Sequence, residues 1–389
     1  MFSLLLGIIY LAFISLGLPD SLIGAGWPAM HAQLGVPTSY VGIITMLISA
    51  DTIISSLLSD RLTRRFGAGK VTAASVATTA LALFGFSLAP SFIWLCVWAV
   101  PYGLGAGAVD AALNNYVALH YKGRQMNWLH CFWGVGAAIS PNVMSYALTH
   151  QLGWQSGYRI IGIIQVVLTF ILIASLPLWA KPQTAASEKG TSKPLKMGQL
   201  LQLRGIKQVL IAFFAYCSLE ATAGIWAASY LVQARGVAVT TAARFAALFY
   251  IGITVGRFLS GIIADRLGDR RMLGLGTGVM LGGVLLILLP LPVISALVGL
   301  VVFGVGCAPI YPTIIHETPH SFGADHSQAV IGLQMASAYV GSTFAPPLFG
   351  LLAGAVSISL YPVYILAFTV LMAGVLIWQT RLMRATAAK

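Results

Sequence analysis

The chain has 389 residues, 58% of them hydrophobic and 8% charged, with a mean hydropathy of +0.88, against about 25% charged in soluble domains. That composition belongs to an integral membrane protein and leaves no stretch for a sizeable soluble domain. A net charge of +12 suits a polyanionic partner only if the basic residues form a patch, so their placement along the chain decides what they mean.

A transmembrane helix takes about 20 mostly apolar residues. In chain order twelve spans are predicted, at 3–30, 39–59, 70–90, 91–121, 126–150, 157–180, 206–233, 242–264, 271–290, 292–318, 327–354 and 358–381. The first lacks a basic leader and an A-x-A cleavage site and is too long for a signal-peptide core, so it reads as a retained helix. Connections after even-numbered spans, with the C-terminus, hold 18 of the 22 Lys and Arg residues; connections after odd-numbered spans hold 3, and Arg257 lies inside a span. By the positive-inside rule both termini are cytoplasmic. The basicity is therefore topology, and it gives no reason to expect nucleic acid as a partner. A multi-pass protein of the plasma membrane, such as a bacterial inner membrane, is the expected setting. The four cysteines, Cys96, Cys131, Cys217 and Cys307, lie within spans, where they read as small buried hydrophobes, with no metal-ligand spacing or disulfide framework.

Residues 181–205, KPQTAASEKGTSKPLKMGQLLQLRG, are polar and basic and part the spans into two sets of six. Residues 1–180 and 206–389 thus read as two bundles joined by a cytoplasmic linker, in which PLKMGQLLQLRG has the pattern of a short interfacial helix. An internal repeat supports the division: SSLLSDRLTRR at 55–65 and SGIIADRLGDR at 260–270 share five of eleven positions at an offset of 205. A looser echo pairs Asp20 and Trp27, seven residues apart, with Glu220 and Trp226, six apart.

Twelve spans in two sets of six, a cytoplasmic central loop and the D-R-x-x-x-R element, Asp60, Arg61 and Arg65 in one copy and Asp265, Arg266 and Arg270 in the other, resemble the major facilitator superfamily over the whole chain. The resemblance implies an all-α membrane fold of twelve transmembrane helices in two pseudo-symmetric bundles. It also implies a gating role for the loop element, where an acid at a helix end can pair with basic residues beside it. The first copy departs from the family pattern, with Ser56 where glycine is usual and Thr63 where the second copy has Gly268. Within the superfamily, LGLPDSLIG, GLGAGAVDAALNNYV, MNWLHCFWGVGAAISP, YCSLEATAGIWAASYL, APIYPTIIHETPHSFG and IGLQMASAYVGSTFAPPLFG resemble the fucose/proton symporter group and its glucose-transporting relatives. That group implies proton coupling through acids in spans 1 and 4, matched here by Asp20 and Asp110. Asp110 stands where the fucose symporter has glutamate, so its reach is shorter.

The residues themselves support such sites. A carboxylate at a helix centre costs about 2.5–3.5 kcal/mol on the insertion scale, so it normally faces a cavity or a partner. Of the ten acids, Asp20, Asp51, Asp110 and Glu220 fall inside spans. Asp110 follows a glycine-rich run and precedes Asn114 and Asn115, with Asn114 one turn on and on the same face. Glu220 lies in span 7, which in the resembled family lines the cavity from the C-terminal half. Asp51 reads equally as a gate against the opposite bundle or as an acid paired with a base, and Arg257 as an inward-facing charge. Asp20, Asp110 and Glu220 are the candidate proton carriers, because burial disfavours the charged form and so suits a group that takes up and releases a proton. Sodium remains an alternative driving ion.

For solute binding, Asn127, His130 and Gly134 share one helical face with Trp133 adjacent. Trp27, Trp133 and Trp226 offer flat faces to a sugar ring, Tyr311 a hydroxyl and Gln334 an amide in an otherwise apolar span. Each aromatic reads as readily as packing or a lipid anchor. Pro19, Pro28, Pro141, Pro312, Pro346 and Pro347 interrupt spans and are expected to bend them, with Gly24 and Gly26 permitting close approach in span 1. The function expected is secondary active uptake of a sugar or similar small polar solute by a monomer, without a cofactor and with a proton as the driving ion. Two alternatives are a proton-driven exporter and a non-transporting receptor or scaffold. Exporters carry G-x-x-x-G-P-x-x-G-G in span 5; GAAISPNVMS keeps Gly136 and Pro141 but has Ser140 for one glycine and lacks the final pair. An enzyme is not expected, since no nucleophile, metal or phosphate-cradling arrangement is present.

Overall fold

A computed structural model describes residues 4–179, 195 and 197–387, with the side chains of 243 and 383–387 left aside. Every regular element among the described residues is helical, as a bilayer demands, because a helix satisfies its own backbone hydrogen bonds where no water can. The elements are α1 (Leu4–Asp20), α2 (Leu22–Leu34), α3 (Val41–Phe66), α4 (Ala68–Leu88), α5 (Phe92–His120), α6 (Gly123–Thr149), α7 (Gly153–Ser175), α8 (Met197–Leu200), α9 (Ile206–Arg235), α10 (Val239–Leu267), α11 (Asp269–Leu288), α12 (Val293–Cys307), α13 (Ile310–Phe322), α14 (Ala324–Ala355) and α15 (Tyr361–Ala387).

Among the described residues ten helical stretches are long and apolar enough to cross a membrane, α1 with α2 and α12 with α13 each counting as one. The expected spans at 126–150 and 327–354 fall on α6 and α14, of 27 and 32 residues, which are not among the ten. Asn127, His130, Asn142 and Pro141 dilute the apolar run in the first, and Gln328, Gln334, Pro346 and Pro347 dilute it in the second. These helices occupy the same place, fifth, in the two predicted sets of six. Among the described residues the expected interfacial helix is represented by one turn, α8; residues 181–194 and 196 of the linker lie outside the described residues.

The chain divides into two compact units: Met1–Tyr116 with Leu129–Lys193, and Val117–Trp128 with Pro194–Lys389. Residues 117–128, which precede the linker in chain order, group with the second unit because the start of α6 is bonded to α10, as described below. In the first unit α4 packs on α7, and α1 lies against both. Its core gathers Leu22, Trp27, Met30, Phe86, Met144, Trp154 and Tyr158. In the second unit α9 packs on α14 and α15, and α12 on α10 and α11.

The prolines act less uniformly than expected. Pro19 accompanies a break, with Ser21 between α1 and α2, and the tenth span breaks at Ala308 and Pro309. Pro28, Pro141, Pro346 and Pro347 sit inside helices that run on without interruption. Pro312 falls in the first turn of α13, where the missing N–H is one that has no intrahelical acceptor anyway.

Candidate functional site

In the first unit two glycines set the position of Asp20. A Cβ on Gly17 would lie 2.2 Å from the Trp133 carbonyl oxygen, and one on Gly136 would lie 2.2 Å from that of Ile14. The backbones of α1 and α6 therefore touch, and nothing but glycine fits at either place. This contact brings the Trp133 indole to Asp20, where Nε1–H donates to Oδ2 at 3.0 Å. Of the two glycines expected to permit close approach, Gly24 has open space around it, while Gly26 is tight against the Met144 side chain of α6; the backbone contact itself is at Gly17.

Pro19 has a second effect. It has no N–H to give to the carbonyl four residues back, which is that of Ser15. The amide Nε2 of Gln165 on α7 donates to this carbonyl instead. Gln165 is 1% exposed, and its Oε1 has no hydrogen-bond partner.

The glycine-rich run of α5 works as its composition suggests. A Cβ on Gly103 or Gly107 would run into the carbonyl of Ile48 or Thr52 on α3, and one on Gly105 would meet the Thr79 hydroxyl on α4. Thr52 Oγ1 donates to the Gly103 carbonyl and Ser56 Oγ to that of Gly107. Ser56, which replaces the usual glycine of the loop element, thus does not hold the helices apart; Gly107 on the partner helix supplies the room, and the serine hydroxyl bonds across the gap. Asp51 is half-buried beside Gly103 on this seam.

One turn beyond the glycines, Asp110, Asn114 and His130 form a hydrogen-bonded chain. Asn114 Nδ2 donates to Asp110 Oδ1 at 2.7 Å, and Asn114 Oδ1 lies 3.0 Å from His130 Nε2. The amide nitrogen is committed to the carboxylate, so its oxygen faces the imidazole, and Nε2 must carry the hydrogen of that bond. All three side chains are buried, at 5%, 0% and 5% exposure. The ring of Phe13 meets His130 edge to face at 5.3 Å. Asn115, also expected at the site, is buried beside them in sequence. The arrangement allows a change of charge at Asp110 to be felt at His130 through one rigid amide.

In the second unit Glu220 on α9 is ion-paired with Arg257 on α10, Nη2 to Oε1, at 3.5 Å. Both charges that the sequence marks inside this half therefore meet each other, and Arg257 is 4% exposed. The Tyr311 ring packs at a tilt against Phe213 and Tyr216, and its hydroxyl donates to the Met335 sulfur. Gln334, fully buried, gives its amide N–H to the Thr318 hydroxyl at 2.9 Å, which ties α14 to α13. Asn127 donates to the Gly123 carbonyl one turn back. The echoed tryptophans have parallel placements: Trp27 Nε1 donates to the Thr38 carbonyl and Trp226 Nε1 to that of Pro346. Both indole N–H groups are thus used on backbone, and Trp27 is 4% exposed within the first unit's core.

The two loop elements fold differently. In the second copy Gly268, at φ +74°, ends α10 directly after Asp265-Arg266-Leu267. With Thr63 at the matching place, α3 runs one turn further, to Gly67 at φ +84°. The extra turn puts Arg64 at i+4 from Asp60, and the two pair at 2.9 Å on their own helix. Asp265 instead accepts from the backbone N–H of Arg124 at 3.2 Å and lies 3.4 Å from its Nε, so it binds the first turn of α6 by dipole and charge together. Trp128, one turn on, fills the space over Gly261 and donates to the Phe258 carbonyl. Arg61, Arg65, Arg266 and Arg270 are exposed.

Gln165, Thr79 and Tyr102 are polar residues of the Asp20 surroundings that the sequence reading does not single out. The signal for Gln165 was available: it is a lone amide in the apolar run IIGIIQVVLTF, the same pattern that marks Gln334.

The Major Facilitator Superfamily profile matches residues 9–207 and 208–387. Among solved structures, the chain resembles the E. coli fucose:proton symporter, with a TM-score of 0.77 and 15% identity over 95% of this chain and 98% of that one. Among curated proteins it is 25% identical over 283 residues to the Saccharomyces cerevisiae bypass of stop codon protein 6, covering 65% of this chain and 56% of that protein; the match thus spans little more than half that relative's length. It is 23% identical to the cis,cis-muconate transport protein of Acinetobacter baylyi, over 90% of this chain and 87% of that one.

Proposed function

Since the chain belongs to the Major Facilitator Superfamily, a family of multi-pass membrane transporters, we propose that it takes up a sugar or a similar small polar solute by alternating access, driven by a proton gradient. Asp110, Asn114 and His130 support this reading most directly, as a buried acid joined to an imidazole through an amide. A carboxylate in such a place can hold a proton in one state and release it in another, while the amide and imidazole report that change to a solute hydroxyl nearby. Asp20, held by the Trp133 indole, is the second carrier. Glu220 changes charge only by giving up Arg257, so its part is to hold α9 to α10. The likeness to the fucose:proton symporter is one of fold; it agrees with a sugar as cargo without carrying that assignment. Twelve crossings, with α6 and α14 added to the ten apolar stretches, a monomer with both termini cytoplasmic, a bacterial inner membrane and the absence of a cofactor complete the proposal.

A labelled uptake screen in proteoliposomes tests it, with hexoses, deoxyhexoses, amino sugars and polyols offered with and without an imposed proton gradient. Accumulation of one class only under the gradient is the expected result. No uptake of any of them, with efflux of a hydrophobic cation instead, overturns it in favour of an exporter.

One observation favours a second reading of the cargo. Arg257 is a buried guanidinium paired with a carboxylate, that of Glu220, and guanidinium geometry matches a carboxylate. The muconate relative has a dicarboxylate in its name. An acidic solute that draws Arg257 from Glu220 fits these facts, and adding muconate and sugar acids to the same screen separates the two cargoes.

A further inference from the structure

Within the first unit a small pocket lies between α1, α4, α5 and α7, with Ser15, Asp20, Thr79, Tyr102 and Gln165 as its polar lining. The oxygens it offers are mostly acceptors. Gln165 cannot turn its amide round, because the Ser15 carbonyl left open by Pro19 accepts only from Nε2. Its Oε1 is therefore fixed as an acceptor, buried and without a partner, a condition that leaves its desolvation unanswered. Thr79 spends its hydroxyl hydrogen on the Ser75 carbonyl at 3.0 Å, so its oxygen has only lone pairs left to give. Asp20 is exposed and lines the pocket, and its Oδ2 accepts from Trp133.

None of the residues lining the pocket is basic. One carboxylate, one amide oxygen and one hydroxyl oxygen, with a single negative charge among them, form a hard donor set that a monovalent cation neutralises. A divalent ion normally draws on more carboxylate charge or keeps more of its own water. In transporters, irregular helix ends with open carbonyls are where such ions sit, and the α1 to α2 break after Asp20 is of that kind. We propose that the pocket beside Asp20 binds a sodium ion, with Asp20, Gln165 and Thr79 as its side-chain ligands. The site goes beyond the proton-coupled reading, since it names a second ion and two residues that reading does not use.

The test is equilibrium binding of radiolabelled sodium to the purified full-length protein in nanodiscs, at fixed alkaline pH and with choline holding the ionic strength. Saturable binding of one ion per chain, displaced poorly by potassium, is the expected result. Asp20→Asn and Gln165→Leu should each weaken it by at least about tenfold. Thr79→Val, which keeps the shape and leaves the Ser15 cap untouched, should weaken it by a few-fold and guards against misfolding of the Gln165 variant. No saturable binding to the native protein, equal displacement by potassium, or binding that survives both Asp20→Asn and Thr79→Val overturns the site. Proton-driven solute uptake in sodium-free buffer is measured in parallel. Uptake without sodium binding refutes the sodium site and leaves the transport reading standing; sodium binding without proton-driven uptake of any solute does the reverse.

Discussion

In the first unit Asp20 accepts a hydrogen bond from the Trp133 indole and Asp110 one from the Asn114 amide. In the second, Glu220 faces the Arg257 guanidinium at 3.5 Å. An acid held by a neutral donor can gain or lose a proton without leaving a buried opposite charge behind. An acid paired with a buried arginine gains a proton only by giving up that ion pair. Acids inside the same kind of helix thus have two kinds of partner, a neutral donor in one unit and a guanidinium in the other.

The largest expected effect bears on the first half of that contrast. Asp110→Asn should abolish gradient-driven accumulation in proteoliposomes while exchange of labelled solute between the two sides continues; full active uptake at neutral pH by this variant would remove Asp110 from the coupling role. The second half is tested by stability. Arg257→Leu should lower the stability by about 3–5 kcal/mol, as for one partner removed from a buried pair, and the double variant with Glu220→Leu should recover most of that loss. Thermal unfolding in detergent, arranged as a double-mutant cycle, reads the coupling; additive losses would show that the pair holds nothing together.

A smaller effect sharpens the account of Asp20. Gly136→Ala should part α1 from α6 and cost about 1–3 kcal/mol, with a change in the emission of Trp133 as its indole leaves the carboxylate. Gly24→Ala, which meets nothing within 4 Å, should leave both the melting temperature and the emission as they are. Equal behaviour of the two variants would refute the close approach at Gly136.

The smallest effect concerns the loop elements. Arg64→Ala removes an exposed i, i+4 pair and should change stability by about 0.3–0.5 kcal/mol. Arg124→Ala removes an exposed charge that joins two helices, and about 0–1 kcal/mol is expected. Protease accessibility of the α5 to α6 connection separates them: it should rise in Arg124→Ala and stay unchanged in Arg64→Ala.

Much of this architecture could be read from residue order. Helical spans follow from apolar runs of bilayer length, and the repeat at 55–65 and 260–270 showed the chain to be built twice. The rarity of charge inside spans marked Asp20, Asp51, Asp110, Glu220 and Arg257 before any coordinates. Asn114 was predictable as the neighbour of Asp110 because one helical turn separates them. Gln165 was not, since its place beside Asp20 depends on a carbonyl 150 residues away in the chain that a proline had left open. The tryptophans were ambiguous for a related reason: an indole N–H near an acid in sequence says nothing about which acceptor lies closest in space, and Trp27 and Trp226 found backbone carbonyls while Trp133 found Asp20.

The sequence by itself determined that the chain is a membrane protein, that it is helical, that it repeats, and which few charges lie inside its spans, because the cost of charge and of open backbone in hydrocarbon is large and local. Only the tertiary structure decided which charges pair. Glu220 was matched to Arg257, Asp265 to the first turn of α6, and Asp20 and Asp110 to neutral donors. A partner is chosen by helix packing, which close-contact glycines such as Gly17, Gly107 and Gly136 set, and that choice decides whether an acid meets a neutral donor or a charge.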